Sequence, residues 1–150
     1  MKKVGIHIGL AVLLVVGVAV NGQAFWGFGQ YDRVEPVNGV VTIPVGDVSD
    51  GRAHYFSYDH DGREVKFFLL KSSDGVIRAA FDACDVCFGE KKGYSQDGDF
   101  MICNNCGQRF HSARINVVKG GCNPSPLDRA VEGNDVVLKA RDIAAGSRYF

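Results

Sequence analysis

The feature that most constrains this chain is the stretch CDVCFGEKKGYSQDGDFMICNNCG, residues 84–107, which carries four of its five cysteines. They form two C-x-x-C pairs, Cys84/Cys87 and Cys103/Cys106, separated by residues 88–102. That spacing fits the pattern of tetrathiolate metal sites. Two residues between ligands let the backbone curl so that both sulfurs face one ion, with amide N–H groups turned toward them. Two such knuckles complete a set of four. The spacing therefore predicts a metal centre held by Cys84, Cys87, Cys103 and Cys106, with no catalytic residue among them. Gly89 and Gly107, just beyond the pairs, are expected to supply the positive φ that closes a knuckle. Asp97-Gly98 reads as a hairpin turn leading into the second one.

Two other sulfur chemistries stay open on the residues alone. A thiol-exchange pair needs its first cysteine at a helix N-terminus, where the dipole lowers its pKa; FGEKKGYS after Cys87 is a poor helix, while GQRFHSARI after Cys106 allows a short one. Structural disulfides suit an exported protein, but a two-residue loop gains little from closure, so bridges between the knuckles are the easier arrangement.

Export is read from the first residues. Lys2 and Lys3 precede an apolar run over residues 4–20, and Asn21-Gly22-Gln23-Ala24 offers small residues for cleavage. Residues 1–24 thus read as a Sec-type signal peptide, or an uncleaved anchor at the lower edge of spanning length. The remainder is placed in the periplasm or outside the cell, as a linker over 25–38 and one domain over 39–150. A Sec substrate crosses unfolded, so any centre forms after export. The chain has 17 Lys and Arg against 17 Asp and Glu, and the interspersed charges leave no basic footprint for nucleic acid.

The domain reads as mainly β. Residues 40–45, 53–58, 65–71, 76–81, 99–102, 114–119 and 136–140 are expected strands, and Asp59-His60-Asp61-Gly62 the turn of a hairpin. The expected architecture is a small single β-rich domain whose two knuckles make a zinc-ribbon-like or rubredoxin-like site. Residues 41–56 resemble residues 136–150, each reading as strand, turn and aromatic pair; this is either a duplicated unit whose halves pack side by side or a chance match between two short hairpin-like sequences.

Cys122 lies in GGCNP, a tight segment. It is a candidate fifth ligand or a buried apolar residue. His111 is an alternative ligand or a surface residue; His54 and His60 read as ordinary polar positions, and Asp82 and Asp85 as turn formers. Phe25-Trp26-Gly27-Phe28-Gly29 is a candidate self-association segment. No Ser-His-Asp signature or phosphate-cradling loop is present, so the chain reads as a carrier or binding protein rather than a catalyst.

The run FDACDVCFGEKKGYSQDGDFMICNNCGQRFHSARINVVKGGCNPSPL, residues 81–127, resembles the FtrD-like family of membrane iron-sulfur proteins. The resemblance implies that Cys84, Cys87, Cys103 and Cys106 bind iron, as an iron-sulfur centre, with Cys122 close by, and that the partners are membrane redox or iron-transport components. The expected function is electron transfer or iron handling at the cell envelope. Zinc suits the same four thiolates and would make the site structural, the basis of the alternative reading as a zinc-stabilised or disulfide-stabilised interaction module.

Overall fold

The computed structural model describes residues 30–150; residues 1–24, read as a signal or anchor, and residues 25–29, read as a self-association segment, lie outside it. Its central element is strand β4 (Arg63–Lys71), REVKFFLLK, which is buried on both faces over its second half. It pairs antiparallel with β3 (His54–His60) on one side and β5 (Ile77–Phe81) on the other. The β3–β4 turn places Asp61 at φ 53° and Gly62 at φ 77°, a conformation that matches the twist of the hairpin strands. A short strand β1 (Asp32–Arg33) runs parallel to β3 and completes the order β1-β3-β4-β5. Part of the segment read as a linker therefore joins the sheet.

A second sheet has the order β2-β10-β9, from β2 (Val40–Pro44), β9 (Ala130–Glu132) and β10 (Asp135–Lys139). A third, β6-β7-β8, is built from β6 (Tyr94–Asp97), β7 (Phe100–Cys103) and β8 (Arg109–His111). The only α-helical element among the described residues is the single turn α1 (Ala140–Ala144), and no helix among them is long and apolar enough to cross a membrane.

Alternation along β4 divides the interior in two. Phe67 and Leu69 face a core with Val41, Ile43, Val136, Leu138 and Ile143 between the first two sheets. Phe68 and Leu70 face the opposite way, onto Tyr94, Met101, Ile115, Cys84 and Cys103. Each of these four β4 side chains is essentially inaccessible, and full burial of such a residue stabilises by about 2 kcal/mol. The second core is also the floor on which the cysteines sit.

The expected strands at residues 40–45, 53–58, 65–71, 76–81, 99–102 and 136–140 are present within a few residues of those limits. The one at 114–119 is not. There the chain makes a 3-10 turn, Ser112–Arg114, and then a further turn in which Asn116 sits at φ 65°. The Asn116 amide explains the difference: it donates to the Ala79 carbonyl (2.8 Å) and accepts from the Ala79 N–H (3.2 Å), occupying the edge of β5 as a strand would. The similar segments 41–56 and 136–150 are neighbours, their strands β2 and β10 pairing antiparallel with Val41 opposite Leu138.

Arg78 on β5 is buried and donates to Asp74 Oδ2 (2.5 Å) and the Ile115 carbonyl (3.1 Å). Bonds from Ser72, the Val76 N–H and Arg78 hold the Asp74 carboxyl down at about 2, against about 3.9 in an unfolded chain. A depressed carboxylate stabilises the fold above the unfolded value and loses that contribution as the pH falls through the folded one. Stability should therefore decline between about pH 4 and pH 2, with a shallower decline in Asp74→Asn, measured by urea unfolding at each pH.

Gly146 packs directly on the Phe81 ring, and a Cβ there would overlap it, whereas Gly46 faces open space. Gly146→Ala should cost about 1–3 kcal/mol as an overpacked core position, read as a lowered urea midpoint. Gly46→Ala should leave the midpoint nearly unchanged.

Candidate metal centre

Three segments deliver the five cysteines to one place. β5 leads through Asp82 and Ala83 to Cys84, and the N–H of Cys87 turns back onto Cys84 Sγ at 3.1 Å. β7 ends at Cys103, whose carbonyl accepts from the Gly107 N–H at 2.8 Å, closing the second knuckle with Gly107 at φ 73°. The loop after residue 119 brings Cys122, its Sγ 3.9 Å from that of Cys87. Gly107 thus plays the role expected of it. Gly89 does not: it lies in the 3-10 turn Phe88–Glu90, and the positive φ of the first knuckle falls on Lys91 (52°) and Gly93 (63°).

The sulfurs form two overlapping groups. Cys84, Cys87 and Cys103 lie mutually within 4.8 Å, and so do Cys87, Cys106 and Cys122. Cys87 belongs to both. The first group is deep, with Cys84 and Cys103 buried; the second is shallow, with Cys106 exposed and Cys122 half-buried. Three cysteines of the C-x-x-C pairs make up the first group, and Cys106 falls in the second, with Cys87 and Cys122.

Electrostatics separates the thiols. Burial pushes the Cys84 pKa up, but the backbone N–H groups of Cys87 and Val86, with the polar groups around the sulfur, more than reverse it, leaving it below the ordinary cysteine value. Cys106 is lowered by the Gln108 N–H. Burial raises Cys103 to about 11 and Cys122 to about 12, the sulfurs of neighbouring cysteines adding to both shifts. Neither pair opens an α-helix. Cys87 precedes a three-residue 3-10 turn, and the segment after Cys106 is β8 rather than the short helix its sequence allowed.

Residues beyond the cysteine motif complete the site. Tyr94, opposite Cys103 in the β6–β7 register, is buried, and its hydroxyl donates to the Cys122 carbonyl at 2.6 Å. Asp82 is no surface turn former: it is 4% exposed, accepts from the Tyr31 hydroxyl (2.5 Å) and the Tyr94 N–H (2.7 Å), and burial raises its pKa. Gly93 is needed here, because a Cβ would overlap the Asp82 carboxylate. Asp85 accepts from the Tyr149 hydroxyl at 2.7 Å. A cleft of about 470 Å³ opens onto Cys84, Cys87 and Cys103, with Tyr31, Lys66 and Lys92 in its walls. These residues carried no motif.

The histidines stand apart. His111 Nδ1 accepts from the Ala113 N–H at 3.2 Å, and its ring packs edge-on against Phe100; His54 Nε2 lies 2.7 Å from Asp50. Neither belongs to the sulfur groups.

Tyr94→Phe leaves a half-buried carbonyl at Cys122 without its donor and should lower stability by about 1–2 kcal/mol. The same variant should alkylate faster at Cys122, located by mass spectrometry of iodoacetamide-treated protein.

No curated protein matches the chain. The model of a protein family does: it covers residues 48–150, from the 3-10 turn after β2 through both knuckles and the Cys122 loop to the last residue given. The cluster of sulfurs and the family description agree in kind, and the chain belongs to the family described as membrane iron-sulfur containing protein FtrD-like.

Proposed function

We propose that this is an exported metal-binding protein in which Cys84, Cys87, Cys103 and Cys106 hold iron or an iron-sulfur centre, serving electron transfer or iron handling at the cell envelope. The domain over 39–150 is the metal-binding unit, and residues 1–24 direct or anchor it outside the cytoplasm. Membrane redox or iron-transport components are its natural partners. The observation that carries the reading is the close grouping of cysteines from both knuckles in a chain of an iron-sulfur family.

The donor set fits such a group. It is all sulfur, the soft ligand type that iron-sulfur clusters take, and two of its members sit at the edge of a dry core. Bound there, the centre would supply one-electron transfer at a potential set by N–H···S bonds and solvent exposure. The chain's own residues provide those controls. The Cys87 N–H directed at Cys84 Sγ stabilises sulfur charge, and Phe68, Leu70 and Met101 exclude water from beneath Cys84 and Cys103. Cys106, at the exposed edge, leaves a short path to a docked partner.

Protein isolated anaerobically from its exported location should contain iron and acid-labile sulfide with visible charge-transfer absorption. Cys84→Ser and Cys103→Ser should lose most of the metal and the colour. Colourless wild-type protein holding zinc would replace the redox reading with a structural one.

A further inference from the structure

The cleft of about 470 Å³ that opens onto Cys84, Cys87 and Cys103 is walled by cations from two separate parts of the chain. Arg63 and Lys66 stand at the start of β4, and Lys91 and Lys92 follow the first knuckle. The carboxylates that share the lining are already engaged or turned to water. Both Asp82 oxygens accept hydrogen bonds, from the Tyr31 hydroxyl and the Tyr94 N–H. Glu64 lies 3.4 Å from Lys66 Nζ, and the side chain of Asp61, 94% exposed, lies 3.9 Å from His60. Three of the cations have no such counterpart. Arg63 donates to the Ser147 carbonyl (3.2 Å) and Lys92 to the Asn105 amide oxygen (3.1 Å), both uncharged, and no ion pair among the described residues involves Arg63, Lys91 or Lys92.

Charge of this sign is the wrong escort for a bare metal ion. Cys84 and Cys103 are 1% and 2% exposed, and the cleft is where they meet solvent space. A hydrated cation entering it passes unpaired positive charge, which repels it, whereas a complex made negative by its ligands is drawn in. We infer that the cleft binds a small anionic chelator of the polycarboxylate class, and that iron reaches the cysteines as the ferrous complex of such an anion. The Lys91 and Lys92 ammonium groups and the Arg63 guanidinium take carboxylate oxygens that the metal leaves free. Delivery is then a ligand exchange with no electron transferred: iron–carboxylate bonds break, iron–sulfur bonds form, the thiol protons leave to solvent, and the anion departs. The thiolates are the softer donor set, which favours the inward direction.

The inference rests on the reading that these cysteines take iron, and adds the form in which iron arrives. Citrate is the probe. Titrated calorimetrically into the reduced, metal-free full chain at low ionic strength, iron-free citrate should bind wild type, and should bind the Lys91→Gln, Lys92→Gln double variant about ten-fold more weakly. Both positions are exposed, so the variant is expected to keep its fold. Lys71→Gln, Lys139→Gln removes the same charge from exposed positions outside the cleft and should bind citrate like wild type. Anaerobic iron uptake is then followed by thiolate-to-iron ultraviolet absorption, supplied either as ferrous citrate or as the aquated ferrous ion. The ratio of the first rate to the second should fall roughly ten-fold in the cleft variant, citrate-supplied uptake slowing while uptake of the aquated ion does not. Absence of citrate binding, equal loss in both double variants, or an unchanged ratio overturns the inference; an unchanged ratio would leave the cations balancing the charge of the bound centre. Lysine-dependent citrate binding by a chain that takes iron from neither source would defeat the iron reading and leave the anion site standing, whereas iron uptake without citrate binding would defeat the anion site and leave the iron reading.

Discussion

The arrangement depends on a strand that is dry on both faces. Ordinary antiparallel strands alternate between core and water; the second half of β4 alternates instead between two cores, with Phe67 and Leu69 turned to one and Phe68 and Leu70 to the other. A one-residue slip would exchange the two sets, so each core fixes the register for the other. The first core ties β4 to the sheet containing both β2 and β10, and the second ties it to the small sheet that carries Cys103. The cysteine cluster inherits its geometry from that register, because β5 is paired with β4 residue by residue up to Phe81, three positions before Cys84.

Between register and sulfur stands Asp82. A carboxyl this deeply buried is costly unless its oxygens are satisfied, and its two partners come from distant parts of the chain: Tyr31 from the N-terminal segment and the Tyr94 N–H from β6. The residue thereby clamps the start of the first knuckle to the strand opposite Cys103. Tyr94 then passes the constraint on, its hydroxyl holding the Cys122 carbonyl. Two residues thus locate all three cysteine-bearing segments, without either being a ligand.

What was legible in the sequence follows from the range of the forces involved. Strand periodicity and the Asp61-Gly62 turn are local, and they placed β3, β4, β5 and β10 well. The two C-x-x-C pairs have a fixed local geometry, so their convergence could be expected from spacing. Residues 114–119 misled because their β-branched character is real, but a single amide, Asn116, reaches across to Ala79 and takes the place of a strand. Asp82 looked like a turn former because nothing in the neighbouring sequence reveals Tyr31, which lies 51 residues away. Cys122 was the hardest case: its proximity to Cys87 comes from a loop whose path is set by Tyr94, a contact 28 residues apart.

Charge explains why so many sulfurs can share one corner of a small domain. Like charges a few ångströms apart disfavour one another's ionisation, and the thiols divide accordingly: Cys84 and Cys106 are shifted toward thiolate by N–H donors, whereas Cys103 and Cys122 are shifted toward thiol by burial and by their neighbours. The two thiols shifted toward thiolate come one from each knuckle. A cation reverses this balance by drawing all its ligands into the thiolate form, so binding and deprotonation become one event. The N–H groups near Cys84 and Cys106 offset part of the cost of proton release there, and burial adds to that cost at Cys103 and Cys122.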